Sequence, residues 1–359
     1  TTINKVDYDE NLKAYVFTYS FYGEGVFHRA LVENKGSPAK IRFNLPNDPV
    51  RIYTDIMKNT NVKDKDGHKI NPCTSDYDNS DIAFYYYWSK TWSRHCRKDL
   101  FESLVHEVKA EFAILPETRQ TYPEYHRLYA NKTPEKPLRV DIIHGFDDDP
   151  EDENDLGRLA YTWNVQNFEK LGWKETRHGQ DFEQRRWIYK SDKFQAQIRV
   201  TIMNSDSEKF DEYVRDALRH ADILIYNGHS NDDIDFSIKR LFGNEHALNR
   251  NRNYQIVYLN SCSSYAFYHS SLFVAKRNSS DATGTQNMDL VANGIGAPFV
   301  EQIHKGYSAD YLLAMNLLSL DAQGKMASEW LSWQSILRGI YEEQGVDDSA
   351  LTVVLGDED

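Results

Sequence analysis

Two short blocks carry the residue types that covalent chemistry needs. Asn227-Gly228-His229-Ser230 follows the apolar run 222–226 (DILIY), and Asn260-Ser261-Cys262-Ser263-Ser264 follows 256–259 (IVYL). A thiolate attacks carbonyl carbon, and a nearby histidine takes the thiol proton and returns it to a leaving amine. Cys262 is therefore the candidate nucleophile and His229 the candidate general base and acid. The main-chain amides of Cys262, Gly228 and Ser230 are candidate donors to an oxyanion. Gly228 also permits a tight turn and close approach by a peptide backbone. Such a pair points to a cysteine endopeptidase acting on a peptide or protein substrate, with no metal or organic cofactor required. Both residues also have plainer uses, since a cysteine after a strand packs as a small hydrophobe and a loop histidine is commonly structural. The flanking serines lack a G-x-S-x-G elbow, which argues against a serine nucleophile.

Position is what recommends the pair. Open parallel sheets bind ligands beyond the carboxyl ends of their strands. Both blocks sit at that place if 222–226 and 256–259 are neighbouring strands, whose spacing of ~4.8 Å lets the two side chains flank one carbonyl. The surrounding segment supports such a sheet. Residues 138–143 (LRVDII) read as a buried strand and 156–171 as a helix stopped by Gly172. Residues 194–203 (FQAQIRVTIM) alternate as a half-buried strand should. Ser207 can cap a helix whose apolar face is Phe210, Tyr213, Val214, Ala217, Leu218 and Ala221. Residues 234–242 follow as a short helix, 290–292 as a short strand, 309–320 and 326–341 as helices, and 351–355 (LTVVL) as a closing strand. Alternation of this kind predicts an α/β fold with a doubly wound, mostly parallel sheet over residues 136–359.

Residues 1–135 have a different texture and predict a smaller β-rich or α+β N-terminal domain. Runs 14–22, 25–32 and 40–44 are rich in aromatic and β-branched residues, as in an antiparallel meander. Residues 97–112 place Leu100, Leu104, Val105 and Val108 on one side of a helix. Its His106-Glu107 pair lacks the second histidine of the zinc-peptidase pattern. Residues 131–137 (NKTPEKP) read as the linker. Tyr85, Tyr86, Tyr87, Trp88 and Trp92 are core or a binding surface, and the domain's position suits a pro-domain covering the cleft.

An apolar strand ending in Gly-His, followed by one ending in Cys, resembles the caspase-like clan of cysteine peptidases, which includes caspases, legumains, clostripain, gingipains and separases. NGHS is similar to the Gly-His block of gingipain and CHAT-type members. NSCSS is similar to the cysteine block of separases, and LTVVLGDED to the Leu-Gly-Asp ending of gingipain-type domains. The resemblance spans residues 136–359 and implies a caspase-hemoglobinase fold, endopeptidase activity, and catalytic roles for His229 and Cys262. Ser230 stands where many members have glycine, and Ser261 where Asp or Ala is frequent.

Charge bears on the substrate. The chain has 359 residues, 55 acidic against 42 basic, for a net charge of -13. That argues against nucleic acid or an anionic membrane as partner and suits a cationic substrate. Residues 146–155 (FDDDPEDEND) and the stretch after His229 would line the active edge. Asp147, Asp148, Asp232 and Asp233 are thus candidates for binding Lys or Arg before the scissile bond, as clostripain and gingipains do, with Asp281 and Asp289 further candidates. The 146–155 segment is also a place for calcium, although no ligand spacing supports it. Cysteines number 3, and Cys73–Cys96 is the one disulfide that spares Cys262. No run approaches the length of a membrane span. The chain opens on Thr1, as expected where an upstream segment has been removed, and its tyrosine and asparagine content has a secreted or periplasmic flavour. Two other functions fit parts of the sequence. One is a catalytically inactive caspase-like binding module. The other is a nucleotide-binding protein, against which the acids after residue 145 count because they would repel phosphate.

Overall fold

Asn227, Asn260 and Asn293 end three successive strands of one sheet, and the rest of the fold is best described outward from them. The computed structural model describes residues 2–10, 14–20, 39–46, 63, 67, 105–112, 120–130, 132–146, 151–178, 184–191, 194–230, 235–249, 253–294, 297, 307–325, 329–344 and 352–356. The chain divides into two compact units, Thr1–Pro116 and Glu117–Asp359.

In the first unit β1 (Thr2–Asp9) pairs antiparallel with β2 (Ala14–Ser20), with a bulge between Ile3 and Lys5. A second antiparallel pair joins β3 (Ala39–Pro46) to β4 (Val105–Phe112). The helix expected over 97–112 is therefore corrected at its end: 105–112 is a strand. Its sequence alternates apolar and charged residues from Val108 to Phe112, the period of a strand, and pairing with β3 overrides the weaker helical spacing. The run 25–32 and the aromatic cluster 85–92 lie outside the described residues.

The second unit begins earlier than residue 136. Helix α1 (Tyr125–Leu128) buries Tyr125 and Leu128 in the core of this unit. Lys132 Nζ lies 2.6 Å from Asp222 Oδ1. The stretch read as a linker thus falls inside the larger unit, tied to it at Lys132, with 133–136 exposed. The order continues with β5 (Leu138–Gly145), α2 (Leu156–Lys170), β6 (Lys174–His178), β7 (Gln184–Lys190), β8 (Gln195–Met203), α3 (Glu208–His220), β9 (Ile223–Asn227) and α4 (Ile238–Phe242). Then come β10 (Gln255–Asn260), α5 (Ser264–Lys276), β11 (Met288–Asn293), α6 (Ala309–Leu317), α7 (Trp333–Gln344) and β12 (Thr352–Leu355).

Eight strands form one mixed sheet, ordered β12-β11-β10-β9-β5-β8-β7-β6. Strands β11, β10, β9, β5 and β8 are parallel, β12 and β7 run against them on either side, and the outermost β6 pairs antiparallel with β7. Among the described residues this makes an α/β fold, mostly parallel, with helices on both faces. Strand residues Ile142, Ile198, Ile225, Tyr258 and Val291 pack under α2, α6 and α7 on one face. Ile143, Leu224, Tyr226, Val257, Leu259 and Leu290 pack under α3, α4 and α5 on the other. Burial on both faces is why these strands are continuous apolar runs. The hairpin β6–β7 and helix α5 were not foreseen. The charges of β7 (QRRWIYK) hide a strand near the sheet edge, whose inner residues are Trp187 and Tyr189.

Caps follow local chemistry. Ser207 accepts from the Phe210 amide at the start of α3, as expected, and a side chain there contributes about 1 kcal/mol. Gly172 takes a left-handed φ of 68° just past α2, the conformation that stops the helix.

Candidate functional site

Strands β9 and β10 pair in parallel from Ile223↔Ile256 to Asn227↔Asn260. His229 and Cys262 each lie two residues beyond that last pair, so they leave adjacent strands at the same edge and the same level. Cys262 is an exposed free thiol and His229 is half-buried.

The two loops are held from below and from the side. Ser230 Oγ donates to the carbonyl of Cys262. Tyr268 of α5 donates from its hydroxyl to the carbonyl of Ser230. Tyr226 of β9 donates to the carbonyl of His229 at 2.8 Å and lies 3.2 Å from Asp235 Oδ2. Burial, and then Asp235, push the Tyr226 phenol well above its ordinary pKa, so it remains a donor. A Cβ on residue 228 would fall 2.4 Å from the Tyr226 oxygen. Glycine is required there because Tyr226 passes directly beneath the chain, which sequence could not reveal.

On the cysteine side, Ser263 adopts left-handed φ 51° and ψ 25° immediately before α5. This sharp turn leads from a buried strand to an exposed thiol and then into a helix. Ser264 Oγ donates to the Leu259 carbonyl at 2.7 Å and accepts from the Asn293 amide at 2.9 Å. The amide of Ala297 donates to Cys262 Sγ at 3.4 Å.

Beneath both loops runs a buried polar row. His144 pairs with Asn227, Asn227 with Asn260, and Asn293 with Thr352. Thr352 Oγ1 donates to Asn293 Oδ1 at 2.9 Å, and Asn293 Nδ2 to Asn260 Oδ1 at 3.0 Å. Asn260 Nδ2 donates to Asn227 Oδ1 at 3.3 Å, and Asn227 Nδ2 to Asp310 Oδ2 at 2.9 Å. Every donor points towards Asp310, in the first turn of α6. Burial pushes the Asp310 carboxyl up to about 7, against hydrogen bonds from Asn227 and Asn260 that pull it down. A second arm leaves the same turn. Ser308, the N-cap of α6, donates to Asn164 Oδ1, and Asn164 Nδ2 lies 3.0 Å from His144 Nε2. Burial holds the His144 pKa down at about 3, so the ring is neutral.

The other expected residues fall in three places. Asp147, Asp148, Asp232 and Asp233 lie outside the described residues, as do Cys73 and Cys96. Asp281 and Asp289 belong to the opposite edge of the sheet, which corrects their expected place in the pocket. Asp281 accepts from Thr283, Gly284 and Gln286 and so shapes the turn leading into β11. Asp289 is the second residue of β11 and accepts from Tyr254. At ~3.3 Å per residue it lies ~13 Å from the end of that strand at Asn293. Gly228 is the third case: its amide donates to the Asn260 carbonyl at 3.4 Å, which leaves Cys262 and Ser230 as oxyanion candidates.

Of the acidic stretch before α2, Asp152 accepts from the Asn154 amide and Asp155 caps the helix through the Arg158 amide. These two acids have local structural work. Among the described residues, no group of three His, Cys, Asp or Glu is placed to hold a metal ion, and no helix is long and apolar enough to cross a membrane. No protein-family model matches the chain, and no curated protein matches its sequence.

Proposed function

We propose that this protein is a cysteine endopeptidase of the caspase-like kind, with Cys262 as nucleophile and His229 as general base and acid. The observation that carries the reading is the matched position of the two residues, each two beyond the Asn227↔Asn260 pair on adjacent parallel strands. Exposure of the Cys262 thiol beside the start of α5 supports it.

In this reading His229 takes the thiol proton as Cys262 Sγ attacks the scissile carbonyl carbon. The amides of Cys262 and Ser230 receive the oxyanion, and the positive end of α5 adds to them. The tetrahedral species collapses, the peptide C–N bond breaks, and His229 gives the proton to the departing amine. Water, deprotonated by His229, then cleaves the thioester and restores the thiol. Preference for Lys or Arg before the scissile bond rests on the acids 147–148 and 232–233, which follow β5 and β9 in the sequence.

The test uses the full chain and its Cys262→Ala variant on fluorogenic peptides with Arg, Lys, Asn or Asp at the cleaved position. Hydrolysis that requires Cys262 and is fastest on Arg or Lys peptides is the expected result. Absence of hydrolysis together with no alkylation of Cys262 by iodoacetamide would overturn the assignment.

A further inference from the structure

The first turn of α6 is the hub of the buried polar edge. Ser308 reaches β5 through Asn164 and His144. Asp310 reaches β9, β10, β11 and β12 through Asn227, Asn260, Asn293 and Thr352. One helical turn therefore ties the carboxyl ends of β5 and of the three parallel strands beside it, together with the start of antiparallel β12. Only the asparagine pair Asn227–Asn260 stands two residues from both His229 and Cys262.

An asparagine amide can bond in either orientation. Asp310 Oδ2 accepts from Asn227 Nδ2 at 2.9 Å, and an acceptor at that place turns Asn227 Oδ1 towards Asn260. That in turn fixes Asn260, and Asn293 behind it. Asp310 is fully buried and touches neither proposed reacting residue, so any influence it has on them passes through the asparagines.

We propose that Asp310 is a positioning residue of the endopeptidase reaction, setting the spacing of His229 and Cys262 by fixing the amide orientation of Asn227 and Asn260. This inference rests on the proposed activity of that pair. Displacing reacting groups by ~1 Å costs rate by ~100-fold, and loss of the Asp310 anchor acts on that spacing without removing any group that contacts substrate.

The experiment compares kcat and KM of the full-length protein and its Asp310→Ala, Asp310→Asn and Thr352→Val variants on the best reporter peptide. Cys262 alkylation rates and thermal melts accompany them. For Asp310→Ala we expect kcat to fall by 10- to 100-fold, as for other groups that orient reacting ones, with KM nearly unchanged and Cys262 alkylated more slowly. Asp310→Asn keeps an acceptor for the Asn227 amide and restores most of kcat. Thr352→Val removes only the far donor on the edge strand and changes kcat far less than Asp310→Ala. If Asp310→Ala does not yield folded protein, Asn227→Ala breaks the same link from the strand side and carries the same expectation. The inference is overturned if the folded alanine variant keeps wild-type kcat, if Asp310→Asn is as impaired as Asp310→Ala, or if Thr352→Val is as damaging as either. A wild-type protein that cleaves nothing and is not alkylated refutes instead the activity on which the inference stands.

Discussion

Ser230 donates a hydrogen bond from its hydroxyl to the main-chain carbonyl of Cys262, which joins the histidine loop to the cysteine loop. The hydroxyl of Ser230 therefore has a structural use here.

Removing that hydroxyl tests the joint. Ser230→Ala should cost about 1 kcal/mol of stability. It should lower kcat more than it raises KM, because the loops lose their cross-link while the amides remain. Denaturant titration and peptide kinetics on the same preparation would show both effects. An unchanged kcat would mean that Tyr226 and Tyr268 hold the loops without it.

Gly228→Ala tests the floor of the site. The new Cβ would meet the Tyr226 hydroxyl at 2.4 Å and its ring carbon Cζ at 2.6 Å. Overpacking of this kind costs typically 1–3 kcal/mol. We expect the loss in a thermal melt, together with reduced activity, because Tyr226 must give up the His229 carbonyl to make room. Tyr226→Phe in the same chain should recover only part of the stability, since Cζ remains in the way.

Lys276 gives a prediction in pH. It is buried near the end of α5, and burial, with Arg127 nearby, lowers its pKa to about 7. Between pH 7 and its ordinary value of 10.5 the unfolded chain binds the proton more tightly than the folded one. This lysine therefore costs stability below that window, and the cost fades as pH rises through it. Lys276→Met should be more stable than wild type at pH 7, with the difference shrinking by up to about 1.4 kcal/mol per pH unit on the way to 10.5. Urea melts across that range check it, and a gap that does not change with pH would refute it.

Much of the second unit was legible because its strands are short apolar runs bounded by capping and turn residues. The strand 222–226, the Ser207 cap and the Gly172 stop all state their roles locally. What stayed hidden depends on distant partners. The β6–β7 hairpin is masked by charges such as Arg185 and Arg186. The strand 105–112 passes for a helix until β3 is known to pair with it. At the site, His229 and Cys262 stood out by residue type, but Asp310 did not, since an acid in a helix's first turn is ordinary. One local signal does point to the row: three apolar strands end in asparagine, at 227, 260 and 293. A polar residue repeated at one level of neighbouring strands implies a buried polar row. Nearness in sequence to the cysteine block does not reveal that Asp281 lies in the turn before β11 and Asp289 at the start of that strand, away from its carboxyl end.

The uniform direction of the asparagine row has an electrical consequence. Side-chain dipoles that alternate in direction cancel, whereas those of Asn293, Asn260 and Asn227 add, with their positive ends towards Asp310. The edge beneath the two loops therefore carries a standing polarisation across neighbouring strands. Reversing one amide sets like ends against each other on both sides, so the row can only invert as a whole. The sheet edge under His229 and Cys262 therefore has one electrical direction, which ends on the buried carboxyl in α6.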